Sequence, residues 1–149
     1  MTPVPSPVEF SRYLTRLLQA RPELACEMAA GSTPLSAPLI QAWLSVPPLD
    51  ENTLKPVLRR LKQRAMARIA GRDLSGQADL AEVVESMTLV ADAAVAAALA
   101  TTETALIARY GTPRNAAGER QQMIVIGMGK LGGRELNVSS DIDLIFVYP

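Results

Sequence analysis

Two aspartates near the end of the chain have the spacing of metal ligands. Asp141 and Asp143 belong to the apolar run DIDLIFVY, which follows the glycine-rich segment GMGKLGGREL. Because side chains alternate along a β-strand, a strand over 141–148 would place both carboxylates on one face, with Cα atoms roughly 6.5 Å apart. Oxygen ligands of this kind suit Mg²⁺, and two such ions can clamp the attacking and leaving oxygens of a phosphoryl displacement. The pattern therefore predicts that the two aspartates are catalytic metal ligands.

The glycine-rich segment fits a phosphate-binding turn, but neither a Rossmann turn nor a P-loop. GMGKLG has the GxGxxG spacing, yet only nine positions separate Gly132 from Asp141, too few for a crossover helix and an acid about 20 residues on. A P-loop has the pattern GxxxxGK[ST], whereas Lys130 is followed by Leu131 rather than Ser or Thr and lacks the first glycine of that pattern. We predict that Gly132 and Gly133 let backbone N–H groups at a helix N-terminus approach phosphate oxygens. Lys130 or Ser140 would add further donors.

The composition excludes several classes of site. The 149 residues include no histidine, which removes the Ser/His/Asp and Cys/His catalytic arrangements and zinc sites built on imidazole. The 15 basic and 15 acidic residues cancel, so no global field attracts nucleic acid or an anionic membrane. The start lacks a signal peptide, and the longest uncharged apolar run, 93–100, is too short to span a bilayer. We expect a soluble, cytoplasmic protein with no nucleic-acid and no membrane partner, and Cys26 as a small core residue.

Residues 1–115 are predicted to form an N-terminal helical region. Its first helix should start at a capping box formed by Ser6, Pro7 and Glu9 and stop near Arg21. The other predicted helices are a piece ending before Gly31, a piece around Trp43 closed by Pro47 and Pro48, a helix over 52–72, and a long alanine-rich helix over 77–109.

The helix over 52–72 carries two stripes of opposite character. Apolar residues recur at helical spacing on one side, and seven cations with no acid between them are predicted to share the other: Lys55, Arg59, Arg60, Lys62, Arg64, Arg68 and Arg72. This basic face could dock a phosphate, a partner or an acidic neighbouring domain. A solvated face balanced by acids elsewhere is an equally good interpretation.

Residues 116–149 change to the period of β-structure after a polar connector over 111–121. A strand over 123–126, a tight turn with one or two helical turns, and a second strand over 141–148 are predicted. The fold class is accordingly α+β and mostly α, with an N-terminal helical bundle followed by a first strand-turn-helix-strand unit.

LGG, seven residues and then DIDL resembles the pattern of the nucleotidyltransferase superfamily, which has the fold of polymerase beta. The fuller string GMGKLGGRELNVSSDIDLIFVYP is similar to that of the glutamine synthetase adenylyltransferases, and so are RIAGRDLSG at 68–76 and RYGTPRN at 109–115. The position of the motif resembles the N-terminal, adenylyl-removing half of these bifunctional enzymes. By resemblance, that half uses inorganic phosphate to remove AMP from adenylyl-tyrosine and releases ADP, while a C-terminal half performs the ATP-dependent transfer.

The resemblance assigns metal binding to Asp141 and Asp143, the phosphate-facing turn to Gly132 and Gly133, and a hydrogen bond to phosphate to Ser140. It implies Mg²⁺, two ions by the general chemistry, with ATP, ADP and inorganic phosphate as substrates or products. The implied partners are glutamine synthetase and a PII-type nitrogen-signalling protein. The third carboxylate of the superfamily lies on a later strand, so we expect a truncated nucleotidyltransferase domain with little activity by itself. The rival interpretations are a nucleotidyltransferase for another acceptor and a helical partner-binding module.

Overall fold

The computed structural model describes residues 11–30, 33–44 and 50–148. Within these ranges, six helices and two strands follow in chain order: α1 (Arg12–Ala20), α2 (Pro22–Ala30), α3 (Ala37–Leu44), α4 (Glu51–Leu74), α5 (Leu80–Tyr110), β1 (Ile124–Gly127), α6 (Gly129–Gly132) and β2 (Leu144–Val147). The predicted α+β, mostly helical class is therefore confirmed.

The helices begin where the sequence supplies capping side chains. The Ser11 side chain accepts from the Leu14 N–H at the start of α1, whereas the predicted capping box at Ser6 lies outside the described residues. Asp50 and Thr53 form a reciprocal capping box at the start of α4, in which each side chain accepts from the other's N–H. Asp79 caps α5 by accepting from the N–H of Glu82. Each cap satisfies a backbone donor that a helix leaves unpaired at its first turn.

Helix α4 lies at the centre of the helical region, because it is buried on two sides. One side packs with α3 and α5 around fully buried Ile40 and Leu61. The opposite side packs through Ala67 against Leu14 and Leu17 of α1. A single apolar stripe was predicted for this helix, and the second buried side arises because small residues let α1 and α2 approach closely.

The seven cations of α4 do not form the single basic face that the sequence predicts. A helix turns by about 100° per residue, which puts the row of Arg64, Arg68 and Arg72 roughly opposite Lys55 and Lys62. That row turns toward other elements: Arg64 pairs with Glu27 at 2.8 Å, Arg68 donates to the Thr33 carbonyl, and buried Arg72 pairs with Glu82 at 2.6 Å. The prediction was wrong because, at about 100° per residue, the seven cation positions are spread over more than half of the helix circumference.

Among the described residues, helix α5 is long enough and apolar enough to cross a membrane, and 28% of its most apolar stretch is buried. A core helix of a globular protein passes the same test, and α5 packs against α3 and α4 through Val83, Met87 and Val90. The absence of a membrane partner stays a prediction.

The strands β1 and β2 pair antiparallel, with Ile124 opposite Val147 and Gly127 opposite Leu144. The side of the sheet that carries Val125 and Leu144 faces α5 across a cavity of about 350 Å³. Leu131 and Leu136, from the segment between the strands, join the same core as α3, α4 and α5. The strand-turn-strand unit is therefore anchored to the helices mainly through its connecting segment.

Two sequence predictions are corrected by these elements. The second strand begins at Leu144, so Asp141 and Asp143 precede it and do not alternate within it. Cys26 is exposed on α2, where Leu24 takes the buried position. The proposed division at residue 115 stays a prediction.

Candidate functional site

The turn after β1 is compact because two of its glycines meet steric demands that other residues could not. Gly129 has a φ of +53°, in the left-handed region that favours glycine. A Cβ atom on Gly132 would lie 2.5 Å from the carbonyl oxygen of Gly127. The spacing of these glycines therefore lets the helical turn α6 fold directly back onto the end of β1.

The N–H groups of Gly132 and Gly133 are used inside this turn. The Gly132 N–H donates to the Met128 carbonyl at 3.3 Å, and the Gly133 N–H donates to the Gly129 carbonyl at 2.9 Å. Both glycines end α6, whereas the expected phosphate turn had them at a helix N-terminus. Gly132 allows the close approach of α6 to Gly127, and the contact of both glycines with phosphate stays a prediction.

The two predicted metal ligands lie beside this turn. The N–H of Met128 donates to the Asp143 carbonyl at 2.9 Å, which holds residues 141–143, the DID segment, against the start of α6. The side chains of Asp141 and Asp143 are exposed, and neither carboxylate has an ion pair or hydrogen bond with another described residue. Both carboxylates thus remain available to an external cation.

Lys130 and Ser140 come together from the two ends of the connecting segment. The Lys130 ammonium donates to the Ser140 hydroxyl at 3.4 Å, and that hydroxyl donates to the Asn137 side-chain oxygen at 2.7 Å. Asn137 also accepts from the Ser139 N–H at 3.2 Å. The structure therefore joins two predicted site residues and adds Asn137, which sequence analysis missed although an asparagine ahead of two serines is a known local turn signal.

Arg134 ties the site to the helical region. Its guanidinium donates to both carboxylate oxygens of Glu85, at 2.5 and 3.2 Å, and to Asp92 at 3.4 Å. The hydrogen bonds that Arg134 donates to Glu85, together with the charges of Glu85 and Asp92, raise the pKa of the Arg134 guanidinium. Its φ of +58° follows from its place directly after the last turn of α6. Sequence analysis missed this contact, because its partners lie 42 and 49 residues away.

The carboxylate oxygens of Asp141 and Asp143 fit part of a Mg²⁺ coordination shell. The described residues contain no group of three or more His, Cys, Asp or Glu side chains that could hold a metal ion. Mg²⁺ commonly keeps several waters and is bound by one or two carboxylates together with substrate phosphates. Asp141 and Asp143 would hold the ion as exposed oxygen donors, and no described cation competes for them.

Comparison of the sequence with known protein families identifies the family to which this chain belongs. The family model described as glutamate-ammonia ligase adenylyltransferase matches residues 6–149. The chain belongs to this family. Its similar relatives include proteins named bifunctional glutamine synthetase adenylyltransferase/adenylyl-removing enzyme, from Aromatoleum aromaticum at 48% identity over 140 residues and from Chromobacterium violaceum at 51% over 144 residues.

These two alignments cover 93% and 95% of this chain but only 15% and 16% of the relatives. A relative from Burkholderia mallei with the same name is 49% identical over 148 residues and is covered to 16%. The chain therefore spans about one sixth of the length of the adenylyltransferases that it matches. The resemblance drawn from the GKLGG and DIDL segments is confirmed at the level of the family.

Proposed function

We propose that this chain forms the first part of a nucleotidyltransferase site that removes AMP from adenylylated glutamine synthetase. The observation that carries the proposal is the hydrogen bond between Met128 and Asp143, which brings the two unpaired aspartates beside the glycine turn. Further support comes from the name of the relatives, which includes an adenylyl-removing activity.

In the proposed reaction, an oxygen of inorganic phosphate attacks the phosphorus of the adenylyl-tyrosine. The new P–O bond produces ADP, the bond between phosphorus and the tyrosine oxygen breaks, and that oxygen takes up the proton that the attacking hydrogen phosphate loses. Because phosphate is already anionic near neutral pH, the step depends mainly on positioning and on neutralisation of charge. Bound Mg²⁺ would supply that neutralisation at the phosphoryl oxygens.

The side chains of this segment would have separate roles. Asp141 and Asp143 bind the metal, and further ligands would come from a longer polypeptide. Lys130 and Ser140, which are already in contact, would donate to a phosphate oxygen once Ser140 turns from Asn137. The ATP-dependent adenylylation would belong to a different part of the full-length enzyme. A PII-type regulator and a cytoplasmic location remain predictions from the resemblance and the sequence.

The test is phosphate-dependent release of ADP from adenylylated glutamine synthetase by the full-length enzyme that carries this sequence. We expect Asp141→Asn/Asp143→Asn to lower the rate at least about a hundredfold, with a parallel loss of Mn²⁺ binding measured by electron paramagnetic resonance. Asp73→Asn is the control, since Asp73 is exposed at the end of α4 and belongs to neither the DID segment nor the glycine turn. Release that survives the double substitution at the control rate would refute the assignment.

A further inference from the structure

An arginine-rich groove lies along the N-terminal half of α4. It has a volume of about 490 Å³ and lies at the junction of α4 with α3 and with the α1–α2 turn. Among the residues that the structure describes, its lining includes four guanidinium groups, one indole and no acidic side chain; the residues that carry the argument are Arg21, Trp43, Arg59, Arg60, Gln63 and Arg64. None of them belongs to the site around the DID segment.

The charges of this arginine groove are only partly neutralised. Arg64 pairs with Glu27 at 2.8 Å and lies over the Trp43 ring, 4.4 Å from its centroid. Arg21 lies 3.5 Å from Glu23. Arg59 and Arg60 have no ion pair with a residue of the described ranges. The groove therefore presents two cations that have no ion pair within the described residues, next to an aromatic ring that Arg64 covers.

The shape of the groove favours an extended segment over a compact ligand. The part of its lining on α4 runs from Thr53 to Arg64, about 16 Å along the helix axis at 1.5 Å per residue. Trp43, Pro56 and Val57 supply apolar surface between the cations. Arginine and tryptophan are the residue types that most often dominate the binding energy of protein interfaces.

We infer that the arginine groove is a docking surface for an acidic surface segment of the protein substrate, glutamine synthetase. This inference rests on the proposed function, because the reacting tyrosine would then belong to a macromolecule. The DID site is exposed and small, so a protein substrate needs binding contacts away from the reacting group. Carboxylates of the segment would pair with Arg59 and Arg60, and an apolar side chain would lie against Trp43.

The test uses the full-length enzyme that carries this sequence, with two double substitutions of equal charge change. Arg59→Glu/Arg60→Glu reverses the uncompensated cations of the groove. Lys55→Glu/Lys62→Glu is the matched control, because both lysines are exposed on the same helix and neither lines the groove. For each protein we would measure the affinity for adenylylated glutamine synthetase by biolayer interferometry, together with KM and kcat for release of ADP.

We expect the groove variant to weaken binding and raise KM about tenfold, with kcat within about twofold, whereas the control changes either value by less than about twofold. Unfolding curves, with Arg59→Gln/Arg60→Gln as a milder variant, separate loss of docking from loss of fold. Equal effects of both double substitutions, or unchanged binding, would overturn the inference. The inference would also be overturned if the unsubstituted enzyme bound tripolyphosphate stoichiometrically and only the groove variant lost that binding, while the groove variant kept its affinity for glutamine synthetase.

The two proposals fail in different ways. Normal release of ADP with an unchanged KM in the groove variant would overturn docking and leave the reaction standing. Binding of glutamine synthetase that depends on the groove, with no release of ADP by any of the proteins, would overturn the reaction and leave docking standing.

Discussion

Replacing Gly132 with alanine should loosen the contact between α6 and β1. The added Cβ would lie 2.5 Å from the Gly127 carbonyl oxygen and 3.3 Å from its carbon. Both atoms belong to the backbone of β1, so no side-chain rotation can relieve the overlap. To reach an ordinary contact, α6 would have to move by nearly 1 Å relative to a strand that is paired with β2.

Gly133 offers a matched control at the adjacent position. Its added Cβ would lie 3.4 Å from the Gly129 carbonyl oxygen, and its φ is −80°, which alanine adopts freely. Overpacking costs about 1–3 kcal/mol, whereas alanine at a compatible site gains about 0.4–1 kcal/mol by restricting the unfolded chain. We therefore expect Gly132→Ala to lower the free energy of unfolding by about 0.5–2 kcal/mol and Gly133→Ala to leave it unchanged or slightly raised.

Urea denaturation followed by circular dichroism would measure both free energies, and hydrogen exchange of the β1 amides would locate the effect. A loss of 1 kcal/mol corresponds to a fall in Tm of about 2–4 °C for a chain of this size. If Gly132→Ala is as stable as Gly133→Ala, with equal protection of β1, the steric reasoning is refuted. A stable Gly133→Ala protein that has lost release of ADP would support the predicted contact of Gly133 with phosphate.

Two further predictions concern charges that hold the helical region together. The hydrogen bonds from Thr53 lower the pKa of the Asp50 carboxyl. The stability that this carboxylate contributes is therefore present above its unfolded-state pKa and is lost as the pH falls through the lower folded-state pKa. Asp50→Asn should flatten the dependence of the unfolding free energy on pH below about 4, and an unchanged slope would contradict this assignment. Arg72→Ala leaves Glu82 without its main partner and should lower the free energy of unfolding by about 2–3 kcal/mol. The double substitution Arg72→Met/Glu82→Gln should recover much of that stability. A double-mutant cycle that shows no coupling energy between the two residues would contradict the role of this pair.

The helical region was predictable in its elements and less so in its packing. Glycines, prolines and apolar spacing predicted α2, α3, α4 and α5 within a few residues, because these signals act within one or two turns of the helix. The division of the α4 cations into inward and outward groups could not be predicted in the same way. It depends on where Glu27, Thr33 and Glu82 lie, which only packing decides.

The chemistry of the site was predictable where it depended on residue type. The spacing of GKLGG and DIDL pointed to a phosphate turn beside two carboxylates, and the family match agrees with the resemblance that it carries. The start of β2 was misplaced by three residues, because an apolar run with alternating aspartates has the same period as a strand whether or not it is paired. The pairing with β1 begins only at Leu144.

The sequence by itself determined the class of the fold, the family and the residue types available for catalysis, because local spacing and composition carry that information. Tertiary structure decided that Gly132 is needed for a close backbone approach and that Arg134 reaches α5. It also decided that Arg59 and Arg60 line a groove with Trp43. Each of these contacts joins residues whose separation along the chain says nothing about their distance in space, so they become visible only once the helices have packed.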